Sequence, residues 1–65
     1  MAGYDQAKQR LKEIVDMPDQ SIDLFIRCVR QNGGSLSSRK REAYFSMLRD
    51  DEITKMEEVL RSIFT

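Results

Sequence analysis

The chain has 65 residues, which is one domain at most, and folding at this length buries only ~60% of the surface that the unfolded chain exposes. Hydrophobic residues make up 40% and charged residues 34%, a globular balance that excludes a disordered chain. Lys plus Arg total 11 and so do Asp plus Glu, so no net field steers the molecule to nucleic acid or anionic lipid, and any such role needs a local patch.

The first predicted helix runs from about Tyr4 to Asp16, with Met1-Ala2-Gly3 ahead of it as a frayed end. Tyr4, Ala7, Leu11, Ile14 and Val15 fall three and four apart, which lines them up on one face. Pro18 closes the helix, because the residue before a proline is pushed away from helical angles. The second helix covers about Asp19 to Asn32, with Pro18 suited to its first helical position and Asp19 to a cap or first turn. Ile22, Phe25, Ile26 and Val29 form its stripe, and Leu24 and Cys28 widen it. Asn32-Gly33-Gly34 is a strong stop, since glycine takes left-handed angles without a Cβ clash.

The third helix is predicted from about Ser38 to Leu48, capped by Ser37 or Ser38, with Leu36 packing back just before the cap. Its spacing turns Ala43, Tyr44, Met47 and Leu48 inward and leaves Phe45 at the flank. The fourth covers about Asp51 to Phe64, capped by Asp50 or Asp51, with Ile53, Met56, Leu60, Ile63 and Phe64 as its stripe and Val59 at the edge. Asp51 with Lys55 and Glu57 with Arg61 are acid-before-base pairs four apart, worth ~0.2–0.5 kcal/mol each. No segment alternates with period two. The predicted fold is therefore all-α, a single domain over residues 1–65 of four short amphipathic helices, with helices two and three arranged like a helix-turn-helix.

Catalytic chemistry is conspicuously missing. There is no histidine, hence neither the commonest general base nor the commonest metal ligand. Gly33-Gly34 lacks the spacing and the following lysine of a phosphate loop. Asp50-Asp51-Glu52 reads as helix capping and not as a metal site. No catalytic residue, metal ligand or cofactor is assigned. The single Cys28 excludes an internal disulfide, reads as a buried small apolar residue and suits a reducing cytoplasm. No apolar run approaches the ~20 residues of a membrane span.

One feature points to a partner. From Leu24 to Arg41 there are five cations and no acid: Arg27, Arg30, Arg39, Lys40 and Arg41. Three of them open a helix and oppose its dipole, a placement that mildly destabilises and so favours a function. A solvated face, with Asp23 pairing locally to Arg27, is the bland explanation. An anionic protein surface is the preferred functional one, with Tyr44 or Phe45 as an exposed aromatic anchor beside the charges. The alternative is DNA binding, with Ser38, Arg39 and Arg41 opening a recognition helix and Arg27 and Arg30 touching phosphate.

Several pieces together resemble a known family: Met17-Pro18-Asp19, Leu24-Phe25-Ile26-Arg27, Gln31-Asn32-Gly33-Gly34, Leu36-Ser37, and Arg39-Lys40-Arg41-Glu42. Phe45, Leu48, Asp51-Glu52-Ile53 and Met56-Glu57 continue the series. From Leu11 to Phe64 the chain resembles the tail that follows the catalytic domain in some bacterial Fic-family proteins. Fic proteins transfer nucleotide monophosphate to hydroxyls through a His-Pro-Phe-…-Gly-Asn-Gly-Arg loop, which this sequence lacks. Ser38 through Glu42 matches the first part of the Fic inhibitory helix, Ser/Thr-x-x-x-Glu-Gly/Asn, but Ala43 departs from it. The resemblance implies an accessory domain of a larger protein: a non-catalytic interaction or regulatory module, binding a protein partner or the rest of its own chain.

Overall fold

A short chain spends much of its length on helix ends, and here the ends decide the architecture. The computed structural model describes residues 2–64 and contains α1 (Ala2–Ile14), α2 (Asp19–Gln31), α3 (Ser38–Tyr44) and α4 (Asp50–Phe64). No strand occurs among the described residues. The all-α expectation of four helices holds. Ala2 and Gly3 are helical, so α1 starts two residues before Tyr4, and Met1 lies outside the described residues.

Pro18 stands one position earlier than predicted, as the N-cap of α2 in an extended conformation, with no side-chain cap bond. Its carbonyl accepts from the Ser21 and Ile22 N–H groups at 3.0 and 3.1 Å, which starts the helix. The far end closes as a Schellman motif. The Gly34 N–H donates to the Val29 carbonyl at 2.9 Å and the Gly33 N–H to Arg30 at 3.5 Å. Gly33 and Gly34 carry φ of 73° and 110°, which explains why glycines stand there.

Ser37, not Ser38, caps α3: its Oγ accepts the Lys40 N–H at 3.2 Å. α3 then ends four residues early. Phe45 drops to φ −131° and ψ 27°, and its ring turns into the core, 1% exposed. There it meets Phe25 edge to face, centroids 5.2 Å apart and planes at 80°. The inward face expected of helix three is thereby corrected: Leu48 is buried, but Ala43 is exposed, and Tyr44 and Met47 are 55% and 83% exposed. The helical spacing failed because the backbone after Tyr44 is a turn, with the Leu48 N–H donating to the Phe45 carbonyl at 3.1 Å.

α4 also starts earlier, and its cap is neither Asp50 nor Asp51. Arg49 holds that position, and its N–H donates to Glu52 Oε1 at 2.9 Å, one half of a capping box. Asp50 and Asp51 occupy the first turn, where the helix dipole favours acids. Asp51 turns to Arg49 Nε at 3.5 Å and not to Lys55. Glu57 and Arg61 both reach the loop after α2. Glu57 accepts the Leu36 N–H at 2.7 Å, and Arg61 donates to the Gly34 carbonyl at 3.0 Å.

The core gathers Ala7, Leu11 and Val15 of the first segment, the stripe of α2 with Cys28, then Phe45, Leu48, Ile53, Met56, Val59 and Leu60. α1 packs chiefly on α4, and α2 packs on both. α3 rides on this three-helix body through Phe45 and contributes no buried residue of its own.

Two stability measurements follow from this packing. Phe25→Ala removes one of the largest fully buried side chains and is expected to lower stability by ~3–5 kcal/mol. Circular dichroism should show a largely unfolded chain, and a melt close to wild type would contradict the packing. Gly34→Ala is expected to lower stability by ~1–3 kcal/mol, because φ is positive and the new Cβ would sit 3.3 Å from Arg61 Cγ. Denaturant titration gives that value directly.

Candidate partner-binding face

The five cations of the basic run divide between two elements and have different fates. Arg27 and Arg30 project from α2, and both are exposed. Among the described residues neither guanidinium has an ion-pair or hydrogen-bond partner. Arg30 lies over the Phe64 ring at 4.3 Å from the centroid, a cation–π contact that holds it in place. On α3, Arg39 is exposed, Lys40 stands 5.6 Å from the Tyr44 centroid, and Arg41 is ion-paired to Asp50.

Arg27 and Arg30 edge an open cleft of about 470 Å³, with Tyr4, Asp23, Ile26 and Gln31 as the other walls. Ile26 is 1% exposed and forms the floor. No α3 residue lines this cleft, so the structure does not bring Arg39, Lys40 or Arg41 into it.

Asp23 is the one acid among the described residues that line the cleft, and its nearest partners lie on α1. It does not pair with Arg27. Its Oδ1 accepts the Tyr4 hydroxyl at 2.6 Å and faces Lys8 Nζ at 3.1 Å. Neighbouring Asp19 is bridged to Lys12 and stands 4.0 Å from Lys8. These bonds clamp α1 to the start of α2 and leave the arginine edge of the cleft electropositive. The Tyr4 hydroxyl and then Lys8 hold the Asp23 carboxyl below the usual carboxylate range. Lys12 does the same to Asp19. The hydrogen bond to Asp23, with burial, raises the Tyr4 phenol, and Asp23 raises the Lys8 ammonium.

The two proposed aromatic anchors separate. Tyr44 is exposed and leans on Phe45, centroids 6.3 Å apart. Phe45 is a core residue and cannot be a surface anchor. Its ring carries no polar tip, so burial against Phe25 wins over exposure. Sequence reasoning missed Tyr4, Gln31 and Phe64 as parts of the arginine face. The available signal was weak, since Tyr4 and Phe64 look like the ends of ordinary apolar stripes.

Among the described residues no group of three or more His, Cys, Asp or Glu is placed to hold a metal ion, and no helix is long and apolar enough to cross a membrane. No protein-family model, curated protein or solved structure matches the chain.

The clamp predicts how stability follows pH. Asp19 and Asp23 have folded pKa values below their unfolded ones, so their contribution is full above about pH 4 and is lost as pH falls through the folded values. Tyr4 and Lys8 have raised values, so their contribution is full below about pH 10 and is lost as pH rises through them. Tm should be flat between these limits and fall on both sides. Tyr4→Phe should diminish both falls, and an unchanged pH profile in that variant would contradict the clamp.

Proposed function

We propose that this chain is a non-catalytic binding module that holds an acidic segment of a protein on the Arg27–Arg30 face of α2. It does so as a cytoplasmic accessory domain of a larger bacterial protein of the Fic type, and the segment belongs to a partner or to the rest of that protein. The observation that carries the reading is the cleft edged by two arginines that have no ion-pair partner among the described residues, in a chain whose net charge is zero. Arginine is suited to this task, because its planar fork receives carboxylates in a bidentate geometry and its weak hydration makes an interface pair less costly.

The same observations weigh against DNA. A recognition helix would have to be α3, which is seven residues long, and its Arg41 is engaged by Asp50. Arg39 and Lys40 alone offer few phosphate or base contacts, and affinity for DNA depends chiefly on the number of phosphates neutralised.

Titrations of the chain with a Glu- and Asp-rich peptide and with duplex DNA, each at low and moderate salt, separate the two. The peptide is expected to bind. Arg27→Ala and Arg30→Ala should each weaken it by the ~0.2–1 kcal/mol of an exposed pair, and the double charge reversal to Glu should abolish it. DNA should bind no more tightly than the ~10⁻⁴–10⁻⁶ M of nonspecific association. Tight, sequence-selective DNA binding that loses affinity with salt, and that survives changes at Arg27 and Arg30, would overturn the proposal.

A further inference from the structure

Arg30 has a second cleft on its other side. It is about 210 Å³ and is lined by Val29, Gly33, Gly34, Leu60, Arg61 and Phe64 together with Arg30 itself. The floor is apolar: Val29 and Leu60 are core residues, 1% and 2% exposed, and Phe64 walls one side. Gly33 lines the cleft, and nothing lies within 4 Å of where its Cβ would stand. The rim carries the guanidinium of Arg30, over Phe64, and that of Arg61, which donates to the Gly34 carbonyl. A volume of this size is below the ~300–1,000 Å³ of small-molecule pockets and matches a single side chain.

We infer that the acidic segment also carries a leucine- or phenylalanine-sized side chain, which it seats in this second cleft while its carboxylates lie on Arg27 and Arg30. The inference rests on the acidic-segment reading above and extends it from charge to a pattern. Apolar floor and cationic rim are complementary to an apolar side chain flanked by carboxylates. Arg30 belongs to both clefts, so one segment crossing it fills both. Arg27 and Gly33 are six positions apart, roughly 9 Å along the axis at ~1.5 Å per residue. An extended peptide covers that distance in about three residues at ~3.3 Å each. The recognised pattern is therefore acidic residues with a large apolar residue two or three positions away. Charge selects the segment and the second cleft fixes its register.

Two capped octapeptides test this on the full chain. One has three consecutive acids followed two positions later by leucine, and the other has alanine in place of the leucine. Calorimetry should show the leucine peptide binding at least about tenfold more tightly, the effect of burying most of one such side chain. In a titration of isotope-labelled chain, the Gly33 and Gly34 amides should shift saturably with the leucine peptide and not with the alanine one. Equal affinities, with shifts confined to the α2 face around Arg27, would overturn the second cleft and leave the acidic-segment reading standing. Failure of both peptides to bind would overturn both.

Discussion

Phe25 and Phe45 meet edge to face inside the bundle, and the course of the chain between α2 and α4 depends on that contact. The two rings are the largest fully buried side chains in the molecule. Bringing Phe45 inward requires the backbone to leave the helix immediately after Tyr44, so α3 is only two turns long. It also places Tyr44 on the outside, beside Lys40. A domain of this size has few side chains to exclude water with, and burial of a second phenylalanine outweighs a further turn of helix. The helical hydrogen bonds lost are individually modest, while a buried aromatic pair gains both area and ring geometry.

The loop that follows α2 is fixed from a different direction. Two glycines end the helix in a Schellman turn, and α4 fastens the result from below with Glu57 on the Leu36 N–H and Arg61 on the Gly34 carbonyl. Side chains that look like an intrahelical ion pair thus bind the backbone of another element. An exposed pair of charges gains little from water, whereas a carboxylate receiving a half-buried N–H satisfies a group that would otherwise be left without a partner. The same economy of charge acts on the opposite edge of α2. Asp19 and Asp23 are used to clamp α1, with Tyr4, Lys8 and Lys12 as their partners. With its nearest acids so engaged, α2 presents Arg27 and Arg30 to solvent beside a cleft. That is how a chain of zero net charge comes to have an electropositive face.

Much of this was legible in the residues, and the exceptions share a cause. The centres of the α1, α2 and α4 stripes are legible because each is a long helix whose buried positions repeat three and four apart: Ala7 and Leu11, Phe25 with Ile26 and Val29, Met56 with Leu60. Ile63 and Phe64, expected in the α4 stripe, are half-buried, and Val59, expected at its edge, is buried. Gly33-Gly34 announced its turn, since no other residue takes those angles cheaply. The end of α3 carried no such mark. Nothing in Tyr44-Phe45-Ser46-Met47 breaks a helix, and periodicity carries the helix on to Leu48, with Met47 inward and Phe45 at the flank. The proposed binding face is half legible: Arg27 and Arg30, three apart and off the stripe, are visible as a pair. That Arg41 would be claimed by Asp50, and that Tyr4 and Phe64 would flank the arginines, was not.

The sequence by itself determined the class of fold, the number of helices, the turn at Gly33-Gly34 and the burial of Cys28 and of the α2 stripe. All of these follow from local propensity, periodicity and the allowed backbone angles, which neighbouring residues set. The length of α3, the inward turn of Phe45, the separate fates of Arg30 over Phe64 and Arg41 against Asp50, and the pairing of the two clefts through Arg30 were decided only by the tertiary structure. Each depends on a contact between residues far apart in the chain: Phe25 with Phe45, Arg30 with Phe64, Asp23 with Tyr4. Such contacts form or fail according to how whole helices pack, and local spacing carries no record of that packing.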